Sequence, residues 1–189
     1  NGKHQNLDLL LSNIQDLLAE QTVNKIAADY YHISQWLEQN ASSDYEFIII
    51  DAPASTSPIS INAMLAADLI IVPLECEALA IKSLKRFLQA FKELQKNIEP
   101  GLRLAGILLT MYDDEILSHQ QVCRQIYQTL GDSVFETIIP NCPYILEASS
   151  MGIDVIQRHL NSEGATGYIR LANELLDRFL LPKSEEASQ

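Results

Sequence analysis

The sequence of 189 residues has few cysteines and no long apolar run. Its three cysteines lie far apart and include no Cys-x-x-Cys pair, which argues against a disulfide framework or a zinc site and favours a reducing compartment. No apolar stretch approaches the roughly 18 to 20 residues that a membrane-spanning helix needs. These absences predict a cytoplasmic protein with no membrane partner.

Basic residues are also scarce, because 13 lysines and arginines are set against 25 acidic residues, for a formal net charge of −12. This balance opposes a surface that binds nucleic acid over its whole extent. The four histidines, at positions 4, 32, 119 and 159, show neither the spacing of metal ligands nor a partner serine or cysteine. A zinc site or a catalytic triad is therefore not expected.

Short apolar runs alternate with helical patterns along the chain. The apolar runs predict strands at 7–11, 47–50, 69–72, 104–111 and 134–139. Helical spacing of apolar residues predicts helices at 21–39, 77–97, 115–130 and 165–180. Strands separated by helices of this length imply βαβ crossovers and a parallel sheet. We therefore predict an α/β fold with a doubly wound, mostly parallel sheet flanked by helices, in one domain over 1–182 with a polar tail at 183–189.

The run Phe47-Ile48-Ile49-Ile50-Asp51 is the strongest single candidate for a functional motif. Its four apolar residues predict a strand buried on both faces, and a carboxylate follows at its carboxyl end. Ligands bind at that edge of doubly wound sheets, and an aspartate there can hold Mg²⁺ through a coordinated water. An ordinary buried strand followed by a turn aspartate has the same pattern, so these residues alone leave both interpretations open.

Longer stretches resemble the ParA/MinD-type partition ATPases, the deviant-Walker class of P-loop NTPases, and are ParA/Soj-like within that class. The segment YEFIIIDAPAS at 45–55 is similar to the family's YDFIIIDxPPS, with Ala54 in place of a proline. Further similar segments follow in the family's order at 61–68, 71–73, 75–80, 106–113, 138–141, 146–152 and 164–175. Residues 6–13 resemble the family's NLDLLPSN. The resemblance thus extends from about residue 6 to about residue 180.

This resemblance implies cofactors, partners and roles for individual residues. Asp51 would hold Mg²⁺ through water, and Pro53 and Ser55 would belong to a switch loop that senses the γ-phosphate of ATP. Four strand-end residues would flank the adenine, and they are Met111, Tyr112, Pro140 and Asn141. The implied activity is slow ATP hydrolysis by a homodimer, stimulated by a ParB-like partner, that positions plasmids, chromosomes or protein cargo.

One part of the family's nucleotide site has no counterpart in this sequence. The family begins with a glycine-rich phosphate loop, KGGxGKT, and a DxDPQxN motif supplies the carboxylate that orients the attacking water. The glycines here, at positions 2, 101, 106, 131, 152, 164 and 167, never approach the spacing of that loop. We expect the chain to lack an N-terminal segment of the natural protein and to contain no catalytic residue. The alternative is an interaction module that keeps the fold and binds no nucleotide.

The predicted helix 77–97 is locally basic within an acidic protein. Beyond its first residue, Glu77, only Glu93 opposes its five cations, which are Lys82, Lys85, Arg86, Lys92 and Lys96. The first three lie together and the last two form a second pair, an arrangement that we expect to be less than ideal for one stripe. A solvated helix surface explains this face, and so does contact with DNA phosphates in a nucleoid-associated protein.

The C-terminal part of the chain departs from the family in its basic residues. The family's DNA contacts are commonly basic residues near this end, yet both arginines of its IPRNVR motif are replaced at 138–143. Arg158 and Arg170 remain nearby as further candidates for DNA contact. The polar tail also lacks the amphipathic basic helix by which MinD binds membranes, which agrees with the absence of a membrane partner.

Overall fold

The computed structural model describes residues 6–10, 29–41, 45–53, 55 and 57–180. The predicted tail at 183–189 and residues 21–28 of the first predicted helix lie outside these ranges. The chain divides into two compact units. The first unit comprises the described residues of 3–70 and 84–105, and the second comprises 71–83 and the described residues from 106 onward.

The described residues form seven α-helices. They are α1 (His32–Asn40), α2 (Pro58–Leu65), α3 (Ala78–Asn97), α4 (Leu117–Leu130), α5 (Pro143–Ser150), α6 (Val155–Arg158) and α7 (Glu163–Leu175). Prolines at the first helical turn begin α2 and α5, where a missing N–H leaves no hydrogen bond unmade. Ser162 caps α7 by accepting a hydrogen bond from the N–H of Ala165. A 3₁₀ turn (Gly131–Ser133) follows α4, and a π-helical turn (Leu176–Leu180) follows α7.

Two parallel strands, β1 (Ile70–Glu75) and β2 (Leu104–Thr110), form the sheet within the described residues. The Ile70 N–H donates to the Arg103 carbonyl, and the Cys76 N–H donates to the Thr110 carbonyl, so the strands run in the same direction. The predicted parallel arrangement is confirmed. The prediction that this strand ends at residue 72 is wrong, because β1 continues through Pro73 to Glu75. Proline is tolerated there because β1 pairs only with β2 among the described residues, and an edge strand can spare one donor.

Residues 134–139, which we call the third arm, lie beside β2 without forming the regular strand that the sequence predicts. One isolated parallel bridge, Ile107 with Val134, joins the third arm to β2, and a second, Tyr112 with Pro140, lies just beyond the ends of both. The Phe135 N–H donates to the Ile107 carbonyl and the Ile139 N–H donates to the Leu109 carbonyl. Four residues of the third arm therefore match two residues of β2, and this mismatch interrupts the ladder.

The core of the second unit is built on β2 and the third arm. Residues 105–109 of β2 are buried without interruption, as predicted for a strand covered on both faces. Phe135 is fully buried and packs against the backbone of Gly106, where an added Cβ would lie 2.9 Å from the ring. In the first unit, the buried apolar side chains come chiefly from α2 and α3 and include Ala63, Leu65, Leu84, Phe91 and Leu94.

The run 47–50 differs most from its prediction. It has no strand assignment, and its first three side chains are exposed, with Ile49 at 92%, while Ile50 is half-buried. The described part of the first predicted strand, 7–10, is exposed as well, and the Tyr45 hydroxyl donates to the Asp8 carboxylate between the two runs (2.8 Å). A parallel strand is buried when strands pair with both its edges and helices cover both its faces. No strand pairs with either run in the described ranges, and the predicted burial is therefore wrong.

Candidate functional site

The Asp51 carboxylate is exposed and lies directly after the run 47–50 in the first unit. Hydroxyl groups organise the loop that follows it. The Ser60 hydroxyl donates to the Pro53 carbonyl (3.0 Å), and it lies 3.0 and 3.1 Å from the hydroxyl oxygens of Ser55 and Ser57. We call these three serines the hydroxyl cluster. Because Ser60 is buried on α2, the cluster holds the loop against the first turn of that helix.

The chemistry of this loop fits a magnesium ion bound together with a phosphate. Carboxylate and hydroxyl oxygens are hard donors, and Mg²⁺ commonly binds through one or two carboxylates completed by phosphate oxygens and water. The described residues contain no group of three or more His, Cys, Asp or Glu side chains that could hold a metal ion. A single carboxylate beside hydroxyls therefore matches the phosphate-assisted mode of binding and does not form a cage made of protein alone.

Asn62 fixes α2 to α1 within the same unit. Its side chain is fully buried, its Oδ1 accepts the Ile33 N–H (2.8 Å), and its Nδ2 donates to the Asp29 carbonyl. The first N–H groups of a helix have no intrahelical acceptor, so Asn62 supplies one for α1. The sequence does not predict this role for Asn62, which supports the helix on which Ser60 lies.

The second unit brings together the four strand-end residues that the resemblance assigns to the adenine. The Tyr112 N–H donates to the Ile139 carbonyl (3.2 Å), and the Asn141 N–H donates to the Tyr112 carbonyl (2.7 Å), which places Tyr112 opposite Pro140. Met111 adopts a left-handed φ of 54°, a conformation uncommon outside glycine. The side chains of Met111 and Asn141 are exposed. They offer a polarisable apolar surface and an amide that both donates and accepts hydrogen bonds, which suits a heteroaromatic base.

Burial holds Tyr112 and the thiols of Cys76 and Cys123 in their neutral forms. Burial raises the pKa of the Cys76 thiol to about 11, and a further contribution comes from Cys123. Burial likewise raises the pKa of Cys123 and, together with the nearby Cys123 and Asp114, that of Tyr112. Because the thiolate is the reactive form of cysteine, neither thiol is activated as a nucleophile. This region can therefore bind a ligand but shows no group prepared for covalent catalysis.

Glu174 on α7 supports the third arm, a role that the sequence does not predict. One carboxylate oxygen accepts the Glu136 N–H and the other accepts the Thr137 N–H, both at 2.8 Å. Arg178 pairs with the same carboxylate at 2.5 Å, and its guanidinium lies 5.2 Å from the centroid of the Phe135 ring. Burial raises the pKa of Glu174, but hydrogen bonds from Thr137 and Glu136 and the charge of Arg178 outweigh burial, so the net pKa lies below the ordinary value.

The basic face of α3 is more compact than expected. At about 100° per residue, its five cations fall within an arc of about 120°, so the expectation that they are less than ideal for one stripe is wrong. All five are exposed, and none forms an ion pair with an acidic residue in the described ranges; they are Lys82, Lys85, Arg86, Lys92 and Lys96. Arg158, by contrast, lies 3.7 Å from the Glu147 carboxylate, and Arg170 is exposed on α7.

Membrane insertion has no support in the helices that the structure describes. None of them is both long enough and apolar enough to cross a bilayer.

Comparisons with known proteins agree with the resemblance. A family model described as an AAA domain matches residues 1–104. The chromosome-partitioning ATPase Soj of Thermus thermophilus is 40% identical over 134 residues, which cover 71% of this chain and 54% of Soj. The chromosome partitioning protein ParA of Caulobacter vibrioides is 31% identical over 173 residues, which cover 91% of this chain and 65% of ParA.

Among solved structures, cobyrinic acid a,c-diamide synthase from Mycobacterium smegmatis with a bound ATP analog and magnesium matches with a TM-score of 0.65. The two chains are 28% identical, and the match covers 84% of this chain and 57% of the synthase. The chain thus spans about half to two-thirds of the length of these similar proteins.

Proposed function

This chain belongs to the ParA/MinD-type family of ATPases, and from that membership we propose that the intact protein is a partition or positioning ATPase that binds ATP with Mg²⁺. The observation that carries the proposal is the exposed Asp51 carboxylate directly before the hydroxyl cluster. In this proposal Asp51 holds Mg²⁺ through a coordinated water, and Pro53 and Ser55 belong to the loop that responds to the terminal phosphate. The bound ion would neutralise charge on the phosphates.

We assign the base of the nucleotide to the edge formed by Met111, Tyr112, Pro140 and Asn141. The Tyr112–Pro140 bridge holds these backbones together, and exposed side chains at Met111 and Asn141 are available to a ligand. The ATP analog and magnesium in the similar synthase structure support ATP as the nucleotide. We further propose that the protein acts in the cytoplasm as a homodimer with a ParB-like stimulating partner, because its relatives are named for chromosome partitioning.

The 189-residue chain on its own is expected to show no Mg²⁺-dependent ATP turnover, whereas the intact protein is expected to bind ATP with Mg²⁺. The reason is that no glycine-rich loop in this sequence offers backbone amides to the phosphates. Calorimetric titration of both polypeptides with ATP, with and without Mg²⁺, tests binding, and phosphate release tests turnover. An intact protein that binds no ATP contradicts the proposal and favours the nucleotide-free interaction module. Turnover by the short chain that Asp51→Ala abolishes contradicts the expectation for the short chain.

We expect weak, salt-dependent DNA binding by the ATP-bound dimer through the basic face of α3. The net charge of −12 opposes this binding, but five exposed cations within one arc concentrate positive charge locally. Lys85→Ala/Arg86→Ala should weaken binding and reduce the slope of log K against log salt by about 0.9 for each lost phosphate contact. Arg103→Ala/Arg124→Ala, which removes the same charge outside α3, is the control.

DNA titrations at several salt concentrations separate the outcomes. Equal weakening by the two double variants would mean that net charge alone matters, which contradicts a surface on α3. An affinity that Lys85→Ala/Arg86→Ala leaves unchanged would move the surface elsewhere, with Arg158 and Arg170 next to be tested. No binding even at low salt would contradict DNA as a partner and favour a protein scaffold.

A further inference from the structure

Between the hydrogen bonds that join them, the third arm and the β2 side advance by different numbers of residues. The third arm has more residues in the first interval and the β2 side has more in the second, so the two differences partly compensate. From Phe135 to Ile139 the third arm advances four residues, while its acceptors on β2 advance two, from Ile107 to Leu109. Beyond Leu109 the imbalance reverses. The acceptors advance three positions, from Leu109 to Tyr112, while the donors advance only two, from 139 to 141. A regular parallel ladder advances equally on both sides, so each interval contains an irregularity.

Each irregularity has an identifiable local structure. In the first interval, Glu136 and Thr137 form an excursion of the third arm, and their N–H groups donate to the two oxygens of Glu174 rather than to β2. In the second interval, the extra residue on the β2 side is Met111, and its left-handed φ of 54° accommodates it. After both intervals, the Asn141 N–H reaches the Tyr112 carbonyl at 2.7 Å. The position of Asn141 therefore depends on where the excursion is held.

A carboxylate is well suited to hold this excursion. It has two acceptor oxygens and no donor, which matches two consecutive N–H groups that β2 does not receive. Arg178 lies one turn further along the same helical segment, pairs with the Glu174 carboxylate, and covers the face of Phe135. Helix α7 thus positions the carboxylate, and Gly167 on the same helix allows a close approach to Pro140, where an added Cβ would lie 3.3 Å from its Cδ.

We propose that Glu174 is a positioning residue for the base-binding edge, because its carboxylate holds the excursion at Glu136 and Thr137 and thereby sets the register in which Pro140 and Asn141 meet Met111 and Tyr112. The consequence for base recognition rests on the proposed nucleotide function. The positional role itself concerns only this chain's backbone and can be measured without a nucleotide.

The test compares Glu174→Gln with Tyr127→Phe in the intact protein. Glutamine keeps the size of the side chain but offers one acceptor oxygen, and its NH₂ group would oppose a backbone donor. Tyr127→Phe removes the hydrogen bond from the Tyr127 hydroxyl to the Phe135 carbonyl (2.7 Å), which anchors the peptide group shared by Phe135 and Glu136 but leaves both hydrogen bonds to Glu174 in place. The control therefore weakens the same region without releasing Glu136 and Thr137.

Hydrogen exchange without nucleotide gives the first measurement. Glu174→Gln is expected to lower the protection of the Tyr112 and Asn141 amides by about tenfold, and Tyr127→Phe is expected to leave them near the parent value. Competition between ATP and GTP gives the second measurement. The preference for ATP should fall by about tenfold in Glu174→Gln and should not change in Tyr127→Phe, since lower stability alone reduces both affinities equally.

The outcomes are distinguishable. Parental protection of both amides in Glu174→Gln, or an equal loss in Tyr127→Phe, would overturn the positioning role. Lower protection with an unchanged preference for ATP would show that the base does not bind at this edge, although the protein still binds ATP. If the parent protein binds neither nucleotide, the proposed function fails, and the exchange measurement still decides whether Glu174 sets the register.

Discussion

Replacing Asp51 with asparagine is expected to lower the Mg²⁺-dependent affinity of the intact protein for ATP by about 10- to 100-fold, the usual effect of losing a group that orients a metal-bound water. Stability should change little. The carboxylate is exposed and makes no hydrogen bond or ion pair with the described residues, so its charge contributes nothing visible to packing. Asparagine keeps the shape of the side chain and removes only the charge.

Calorimetry with Mg²⁺ and with a chelator measures the effect of Asp51→Asn directly. Asp68→Asn is a matched control, because Asp68 is also exposed in the first unit and the change removes the same charge. The control should bind MgATP like the parent, and both variants should unfold at parental denaturant concentrations. Parental MgATP affinity in Asp51→Asn would show that Asp51 is a turn residue without a role in Mg²⁺ binding.

Phe135→Ala is expected to reduce the free energy of unfolding by about 3–5 kcal/mol, the usual range for removing a buried aromatic side chain. Phe135 is fully buried, its ring lies beneath the Arg178 guanidinium, and its backbone donates to Ile107. The Phe135 N–H donates to Ile107 and the Phe135 carbonyl accepts from Tyr127, and these two hydrogen bonds limit how far the third arm can collapse into the cavity. Urea unfolding of the 189-residue chain measures the loss, and a loss near 1 kcal/mol or less would contradict a central packing role.

A double-mutant cycle provides the control for this contact. Gly106→Ala places a methyl group 2.9 Å from the Phe135 ring and should destabilise by about 1–3 kcal/mol. Phe135→Leu keeps the site apolar but removes ring atoms from the crowded position. The combined variant should therefore lose less than the sum of the two single losses. If the two losses in the free energy of unfolding are strictly additive, the side chains at positions 106 and 135 do not interact energetically.

Elements that depend on local pattern were predicted well from the sequence. Helix α3 is observed at Ala78–Asn97 against a prediction of 77–97, β2 at Leu104–Thr110 against 104–111, and α4 at Leu117–Leu130 against 115–130. Each has a long periodic or continuous apolar pattern with a clear end, such as Gly131 after α4, whose φ of 48° suits glycine. Helices α2, α5 and α6 were missed because each has eight residues or fewer, too few to establish a period.

Features that depend on distant partners could not be predicted in the same way. An apolar run such as 47–50 shows that burial would be favourable, but burial also requires neighbouring strands, which the run itself does not encode. The sequence of the third arm predicts an ordinary strand, because no residue type in it indicates that Glu136 and Thr137 form an excursion. Their acceptor, Glu174, lies 37 residues from Thr137, just as Asn62 lies 29 residues from the amide that it accepts.

The resemblance assigned site roles to several residues, and the structure brings some of these residues together. Met111, Tyr112, Pro140 and Asn141 meet at one bridge, and Pro53 and Ser55 lie in one hydrogen-bonded loop with Ser60. Their roles toward ATP and Mg²⁺ remain predictions. Glu174 and Asn62 lie in segments that resemble the family, but the resemblance did not indicate that each would bind the backbone of a distant segment.

The exposed run 47–50 also determines how the 189-residue chain should behave during purification. An isoleucine-rich segment that no strand covers in the described ranges can pair with the same segment of another copy. The net charge of −12 keeps copies apart, but only over a distance that shrinks from about 10 Å at 0.1 M salt to about 3 Å at 1 M. Light scattering should therefore increase as sodium chloride is added, and the chain should be handled in dilute buffer at a pH well above its isoelectric point.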